Sequence, residues 1–255
     1  MMYSSAIFNE KNINLDDAAL NKMKVISSKL NISQQDKILE IGSGWGGMAE
    51  YIANNYDCHI TSTTISQEQF KWNLEKQKNK NTLKNKVNFI NKDYRKLDGK
   101  YNSIISIEMI EAVGHQYLSV FFKKCNSLLK KDGRIVIQAI LINDSSYQKY
   151  KYKVDFIKKY IFPGGCLPSM KIIQKIISKH TDLKIIDSYD ISNSYAKTLI
   201  EWHKSFVKNK YLILKKGFSE KIFIIWEFYF LYCTAGFQSK NIFCKQIVFV
   251  KQTRE

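Results

Sequence analysis

The chain has 255 residues, 45% of them hydrophobic and 25% charged, a globular composition that excludes a disordered, collagenous or disulfide-scaffold protein. Its length suits one large α/β domain with a sizeable core. Forty Lys and Arg against 23 Asp and Glu give a net charge of +17, which concentrates anionic partners around the surface and suits a solvated face, a membrane or a nucleic acid.

From Asp36 the run KILEIGSGWGG passes from β-branched residues into glycines and continues as MAEYIANNY with helical spacing, which predicts strand, tight turn and helix. CHITSTTI then reads as a strand, SQEQFKWNLEKQK as a helix, VNFINKDY and NSIISIEMI as strands, about Gln116 to Leu129 as a helix, and GRIVIQAILI as a strand. Strands alternating with helices predict a doubly wound parallel sheet. From Asn143 to Gly165 the text becomes rich in Tyr and Lys. Both prolines, Pro163 and Pro168, fall in IFPGGCLPS, so this is an inserted segment ending in a rigid loop. A helix, the strand LKIIDSYDI, a helix from Tyr195, an aromatic helix from Phe218 to Phe237 and the strand KQIVFVKQ follow. No repeat or low-complexity linker divides the chain, so residues 1–255 form one domain.

Five cysteines without a C-x-x-C pair, beside four histidines, suggest neither a disulfide framework nor a zinc site, and a reducing cytoplasm fits. The N-terminus lacks a signal-peptide pattern. The longest nearly apolar stretch, Ile222 to Cys233, is short of a membrane span and contains Glu227, so a soluble or peripheral protein is expected.

The turn Glu40-Ile41-Gly42-Ser43-Gly44-Trp45-Gly46 sits at the carboxyl end of the first strand, where an open α/β sheet binds a mononucleotide-type ligand. Its glycines let the backbone approach that ligand, because a Cβ there would clash. The spacing G-x-G-x-G-G, with an acid two residues ahead, differs from the G-x-G-x-x-G of hydride-transfer domains. No acid ends the second strand, but Thr64 and Gln69 can supply hydrogen bonds. Asp93 and Tyr94, after the third strand, are placed to meet an adenine edge and face. Ser66 is explained equally well as a helix N-cap.

The glycine turn resembles the S-adenosylmethionine site of class I methyltransferases. Together with YSSAIF at Tyr3, TTISQEQ at Thr63, KDYR at Lys92, SIEMIEAVG at Ser106, YIFPGGCLPS at Tyr160, YAKTLIEW at Tyr195 and WEFYFLYCTAGF at Trp226, it resembles cyclopropane-fatty-acyl-phospholipid synthases and mycolic acid cyclopropane synthases over nearly the whole chain. The resemblance implies a mostly parallel seven-stranded sheet with a helical, substrate-covering insertion at about 143–182. It implies S-adenosylmethionine-dependent transfer of a methylene group to the cis double bond of unsaturated acyl chains in membrane phospholipids, with a bound bicarbonate ion as the base. Tyr3, Ser4, Glu40, Gly42, Gly44, Trp45, Gly46, Thr64, Gln69, Asp93 and Tyr94 are then the cofactor-binding residues. Glu111 matches the carboxylate that orients bicarbonate, Tyr195 the tyrosine whose hydroxyl binds it, and Ser5 a position, often cysteine, that contributes a backbone amide. Glu108 is an alternative site acid. Cys233 matches a cysteine associated with the active site, and reads equally as a small buried hydrophobe. Gln138 departs from the pattern: it stands where the bacterial sequences have a bicarbonate-binding histidine, and its amide can donate a hydrogen bond but cannot carry a proton at neutral pH.

The same resemblance implies unsaturated acyl chains as partner and an enzyme peripherally associated with the inner face of the membrane, the oligomeric state being left open to a homodimer. Lys149, Lys151, Lys153, Lys158 and Lys159, interleaved with Tyr147, Tyr150, Tyr152 and Tyr160, form an interfacial composition suited to anionic headgroups. The aromatic helix is apolar nearly all round, as a core helix or an acyl tunnel requires. No nucleic-acid partner is expected, since prolines only at 163 and 168 exclude the D/N-P-P-Y/F motif used on exocyclic base amines. C-methylation without ring closure, N-methylation of a small amine, and an inactive lipid-binding homologue remain the alternatives.

Overall fold

Seven strands, β1 (Lys37–Ile41), β2 (His59–Thr64), β3 (Val87–Asn91), β4 (Tyr101–Ile107), β5 (Leu129–Ile142), β6 (Leu183–Asp190) and β7 (Ile242–Lys251), form one sheet in the order β3-β2-β1-β4-β5-β7-β6. This computed structural model describes residues 2–9 and 13–252, so the ends of the expected 1–255 domain lie outside the described residues. All pairings are parallel except those of β7, which runs antiparallel between β5 and β6. The expected mostly parallel, doubly wound, seven-stranded sheet is what forms.

The central strands are buried on both faces, which is why their sequences are nearly continuous apolar runs. Side chains alternate across the sheet. Leu39, Ile104, Ile135 and Ile137 meet Phe121 and Phe122 of α5 (Leu118–Leu128) on one face. Ile38, Ile105 and Val136 meet Met48 and Ile52 of α2 (Gly47–Asn55) and Ile26 of α1 (Leu15–Leu30) on the other.

The sequence reading assigns no element between YSSAIF and the first strand, yet α1 fills that interval. Asn14 caps it by accepting the Asp17 N–H at 2.9 Å. Ala18, Lys22, Ile26 and Leu30 recur every four residues along its buried face. A lysine in that stripe breaks the apolar period, which is what concealed the helix.

The insertion forms α6 (Asp144–Tyr150), α7 (Phe156–Tyr160) and the proline loop. The helix after them, α8 (Met170–His180), puts Ile173, Ile176 and Ile177 into the same core as the sheet, so the part of 143–182 standing outside that layer ends near Ser169. α4 (Asn81–Lys86) leads into β3, and α10 (Lys210–Lys215) joins α9 (Ser192–Lys208) to α11 (Glu220–Gln238). α9 and α11 pack together around Tyr195, Leu199, Phe230 and Phe237.

Against this pair lies an N-terminal strap in which residues 4–7 are buried. Its backbone is hydrogen-bonded outward: Ile7 N–H to the Ala18 carbonyl at 3.0 Å, Ala6 N–H to Thr198 Oγ1 at 3.0 Å and Phe8 N–H to Ser194 Oγ at 3.1 Å. Thr198→Val keeps the shape and removes the acceptor, leaving a buried N–H unpaired. It should cost about 1–3 kcal/mol, read as a lower urea midpoint at unchanged slope, with faster amide exchange at Ala6.

Candidate active site

The carboxyl ends of the parallel strands open on a cavity of about 770 Å³. Gly42, Gly44 and Gly46 of the turn after β1 have φ of 98°, 50° and 75°, the left-handed region that glycine enters without cost. A Cβ on Gly44 would meet no atom within 4 Å and would project into the open space of the cavity wall. A Cβ on Gly46 would lie 2.5 Å from Asn73 Oδ1. Asn73 lies on α3 (Gln67–Lys78) and donates to the Gly44 carbonyl at 3.1 Å, clamping the turn.

The polar groups around this space differ in how much bonding capacity remains. Glu40 is buried, accepts from Ser62 Oγ at 2.5 Å, and is pushed up to about 8 by burial. Thr64 donates to Gln69 Oε1 at 2.8 Å, which leaves the Gln69 amide nitrogen as a donor without a protein partner among the described residues. Arg95 holds Asp93 below the usual carboxylate range by a hydrogen-bonded ion pair. Tyr94 sets its ring edge-on to Phe121 at 5.4 Å. Ser66 is an N-cap, accepting the Gln69 N–H at 3.3 Å.

A second cluster lies against the same cavity. β4 ends at Ile107, and Glu108 follows with φ of 47°, a conformation costing a residue with a Cβ about 1–2 kcal/mol. Its backbone N–H donates to the Gln138 carbonyl at 2.7 Å. Its side chain gathers three donors: Ser5 N–H at 2.9 Å and Gln138 Nε2 at 2.7 Å on Oε1, and the Tyr195 hydroxyl at 2.6 Å on Oε2. Gln246, opposite Gln138 in the β5–β7 ladder, donates to Gln138 Oε1 at 3.0 Å and so turns the amide nitrogen toward Glu108. Lys22, fully buried, donates to Ser4 Oγ at 2.6 Å, and burial lowers its ammonium to about 8 against the pull of the Glu108 charge.

Glu111 sits one turn further on, in the 3-10 turn Ile110–Ala112. Its Oε1 accepts the Ile140 N–H at 2.5 Å, and its Oε2 is buried without a partner. Burial first, and the neighbouring Glu108 charge second, push it up to about 8. The pair is therefore differentiated. Burial raises both carboxyls, but only at Glu108 do three donors and the Lys22 charge oppose that rise.

Ser5, Gln138 and Tyr195 come together as expected, but around Glu108 and not around Glu111. Of the two acids only Glu108 lines the cavity. Of the expected cofactor residues, Tyr3, Ser4, Glu40, Gly42, Gly44, Trp45, Thr64, Gln69, Asp93 and Tyr94 line it, and Gly46 does not, its constraint being the contact with Asn73. The Ser4 hydroxyl is already bonded to Lys22. Cys233 is outside the cluster. It packs at the edge of the α9–α11 core, and burial pushes its thiol up to about 12, so it carries no thiolate at neutral pH. The cysteine beside Glu108 is Cys244, with Sγ 4.0 Å from Oε1. Lys22, Cys244 and Gln246 were not anticipated. Their signal is positional: a lysine every fourth residue into an apolar stripe, and polar residues on the buried face of the last strand.

Residues 1–247 match the pattern of the family described as mycolic acid cyclopropane synthetase. The chain belongs to that family. It is 36% identical over 209 residues to tuberculostearic acid methyltransferase UfaA1 of Mycobacterium tuberculosis, covering 82% of this chain and 48% of that protein. It is 32% identical over 250 residues to cyclopropane-fatty-acyl-phospholipid synthase of Escherichia coli, covering 98% of this chain and 62% of that one. The chain thus spans between about half and two thirds of the length of these relatives. Its fold is that of the cyclopropane synthase MmaA2 from Mycobacterium tuberculosis, with a TM-score of 0.89, 22% identity and coverage of 98% and 90% of the two chains. The mycolic acid cyclopropane synthase CmaA1 complexed with SAH and CTAB aligns with a TM-score of 0.90 at 24% identity and the same coverage.

Two measurements test the cofactor assignment. Gly44→Ala should fold, at a strain of about 1–2 kcal/mol, and lose at least about tenfold in affinity for S-adenosylhomocysteine by calorimetry, because its methyl enters the ligand's space. A cationic ligand beside Glu40 favours its ionised form, so binding at pH 7 should release up to one proton. Affinity should rise as pH climbs toward 8 and level off above it. The release, read as a dependence of binding enthalpy on buffer ionisation, should vanish in Glu40→Gln.

Proposed function

We propose that this chain transfers a methylene group to the cis double bond of an unsaturated phospholipid acyl chain, closing a cyclopropane ring. The observation that carries the reading is the juxtaposition of the glycine-turn cavity with a buried, three-fold hydrogen-bonded carboxylate in its wall. S-adenosylmethionine, when bound, supplies an electrophilic methyl group on a sulfonium. The Cβ-free turn at Gly44 accommodates the ligand's close approach, Glu40 offers its cationic end a carboxylate, and Gln69 and Asp93 offer polar groups. The strap over α9 and the aromatic α9–α11 pair keep water from the reacting carbons, which a carbocation requires. The proton then has to pass to a base already in place, and Ser5, Gln138 and Tyr195 are the groups that fix one.

The acyl chain has to be reached in a bilayer, and among the described residues no helix is long and apolar enough to cross one. A docking face fits the need. Ile224, Phe228 and Leu231 on the outer side of α11 are 57%, 48% and 52% exposed. Phe156 of α7 packs on Phe228 and Tyr232 at 4.7 and 5.9 Å, joining the lysine-rich insertion to that face. Lys158 and Lys159 ride over Tyr150 and Tyr160. Apolar side chains rimmed by lysines suit an anionic leaflet, on the cytoplasmic side in this reading. The outward face makes α11 a docking element, while its buried Phe223, Tyr229, Phe230 and Phe237 belong to the core.

A second reading, C-methylation without ring closure, is favoured by the similarity to a tuberculostearic acid methyltransferase. Incubation with dioleoylphosphatidylglycerol vesicles decides between the two. Ring formation adds one CH₂ per double bond and removes the olefinic proton signal, whereas C-methylation that retains an olefin overturns the cyclopropane assignment. Binding to these vesicles should weaken from low to high salt and be absent on phosphatidylcholine.

A further inference from the structure

The resemblance to the family assigns the proton to a bicarbonate ion held by the Ser5 amide, Gln138, Tyr195 and Glu111. The residues present do not fit that ion. Every one of the three donors is already spent on Glu108: Ser5 N–H, Gln138 Nε2 and the Tyr195 hydroxyl all end on its two carboxylate oxygens at 2.6–2.9 Å. A bicarbonate placed among them would meet an anion in a buried site and lose the donors that should hold it.

We infer that the Glu108 carboxylate is the general base of this protein and takes the place of bicarbonate, so that the reaction needs no external base. For its substrate this rests on the lipid reading proposed above; for its geometry it does not. Four observations carry it. Glu108 is the acid of this loop that lines the cofactor cavity, whereas Glu111 is turned away to the Ile140 N–H. Its backbone sits at φ 47°, where glycine is free and a glutamate is strained, so the side chain's bonds maintain a conformation that local preference opposes. Gln138 stands where the family pattern has an ionisable histidine, and an amide suits a partner that holds the proton itself. Lys22 brings a buried positive charge that has no carboxylate within ion-pairing distance among the described residues and whose field falls on Glu108.

The step balances. The π pair of the double bond forms a carbon–carbon bond to the transferred methyl as the carbon–sulfur bond breaks to a neutral thioether, leaving a cation on the acyl chain. Glu108 takes a proton from the transferred carbon, and the electrons of that C–H bond close the ring. The protonated carboxyl returns its proton to solvent when product leaves.

The decisive variant is Glu108→Gly, which the positive φ tolerates and which empties the place of the carboxylate. With ¹³C-bicarbonate as the sole probe, carbon NMR should show saturable binding to Glu108→Gly and none to the wild-type chain. On unsaturated vesicles in bicarbonate-depleted buffer the wild type should turn over at its full rate. Glu108→Gln should lose at least about 100-fold in turnover, with affinity for S-adenosylhomocysteine held within about threefold. Glu108→Gly should be equally impaired there and recover at least about tenfold when bicarbonate is added. Saturable bicarbonate binding to the wild type that Tyr195→Phe abolishes, or a wild-type rate that rises tenfold with bicarbonate, would overturn the inference. A wild type inert on vesicles with and without bicarbonate overturns the lipid reading instead, and the labelled-bicarbonate comparison then still decides what occupies the anion site.

Discussion

A carboxylate taken out of water must be met by donors and opposite charge, and the architecture around this cavity is organised by that requirement. Desolvating an ion costs several kcal/mol, and a hydrogen bond to a charged group returns about 1.5–3 kcal/mol, so three donors and a buried ammonium offset much of the cost while the Glu108 carboxyl still stays above its ordinary range. The partners of Glu108 come from the strap (Ser5), the central sheet (Gln138) and α9 (Tyr195), with Lys22 on α1 supplying the field. No two of these are neighbours in sequence. The site therefore forms only when the sheet, its flanking helix and the appended helical pair have all found their places.

The two halves of the site obey different rules. The half around the glycine turn is made of backbone: glycines at positive φ, the ends of parallel strands and a helix that clamps the turn through Asn73. It is built from residues close together in the chain, and comparable turns can carry many chemistries. The other half is made of side chains from distant segments, and it gives two acids three residues apart different surroundings: Glu111 accepts a single backbone N–H, whereas Glu108 accepts three donors. Environment, not residue type, separates them.

That difference also explains what could be read from the sequence. The sheet and its order of strands and helices were legible because apolar runs, glycine turns and helical periods are local signals, and the glycine turn lies in the wall of the cavity at the strand ends. At Gly46 the local signal is ambiguous, because a glycine required by a neighbouring Asn73 looks identical in sequence to one required by a ligand. α1 was missed because Lys22 interrupts its apolar stripe for a reason that lies 86 residues away at Glu108. The match to the family pattern points to Glu111 because it weighs position in a pattern, whereas the backbone turn that sets Glu108 in the cavity wall and Glu111 against the Ile140 N–H is a three-dimensional fact. Cys233 matched a motif, but motif matching carries no information on burial, and burial leaves its thiol protonated.

The strap has a consequence for how the protein comes into being. Ala6 is anchored on Thr198, 192 residues downstream, while Ser5 reaches Glu108 across 103. During synthesis the strap leaves the ribosome before α9 and has nowhere to dock until α9 follows, so these residues wait while the segment between them is made. The β1–β4 half, with its glycine turn, can assemble meanwhile, since its parallel pairings close over much shorter distances. A nascent chain would thus own the glycine turn long before the donors of Glu108 are in place.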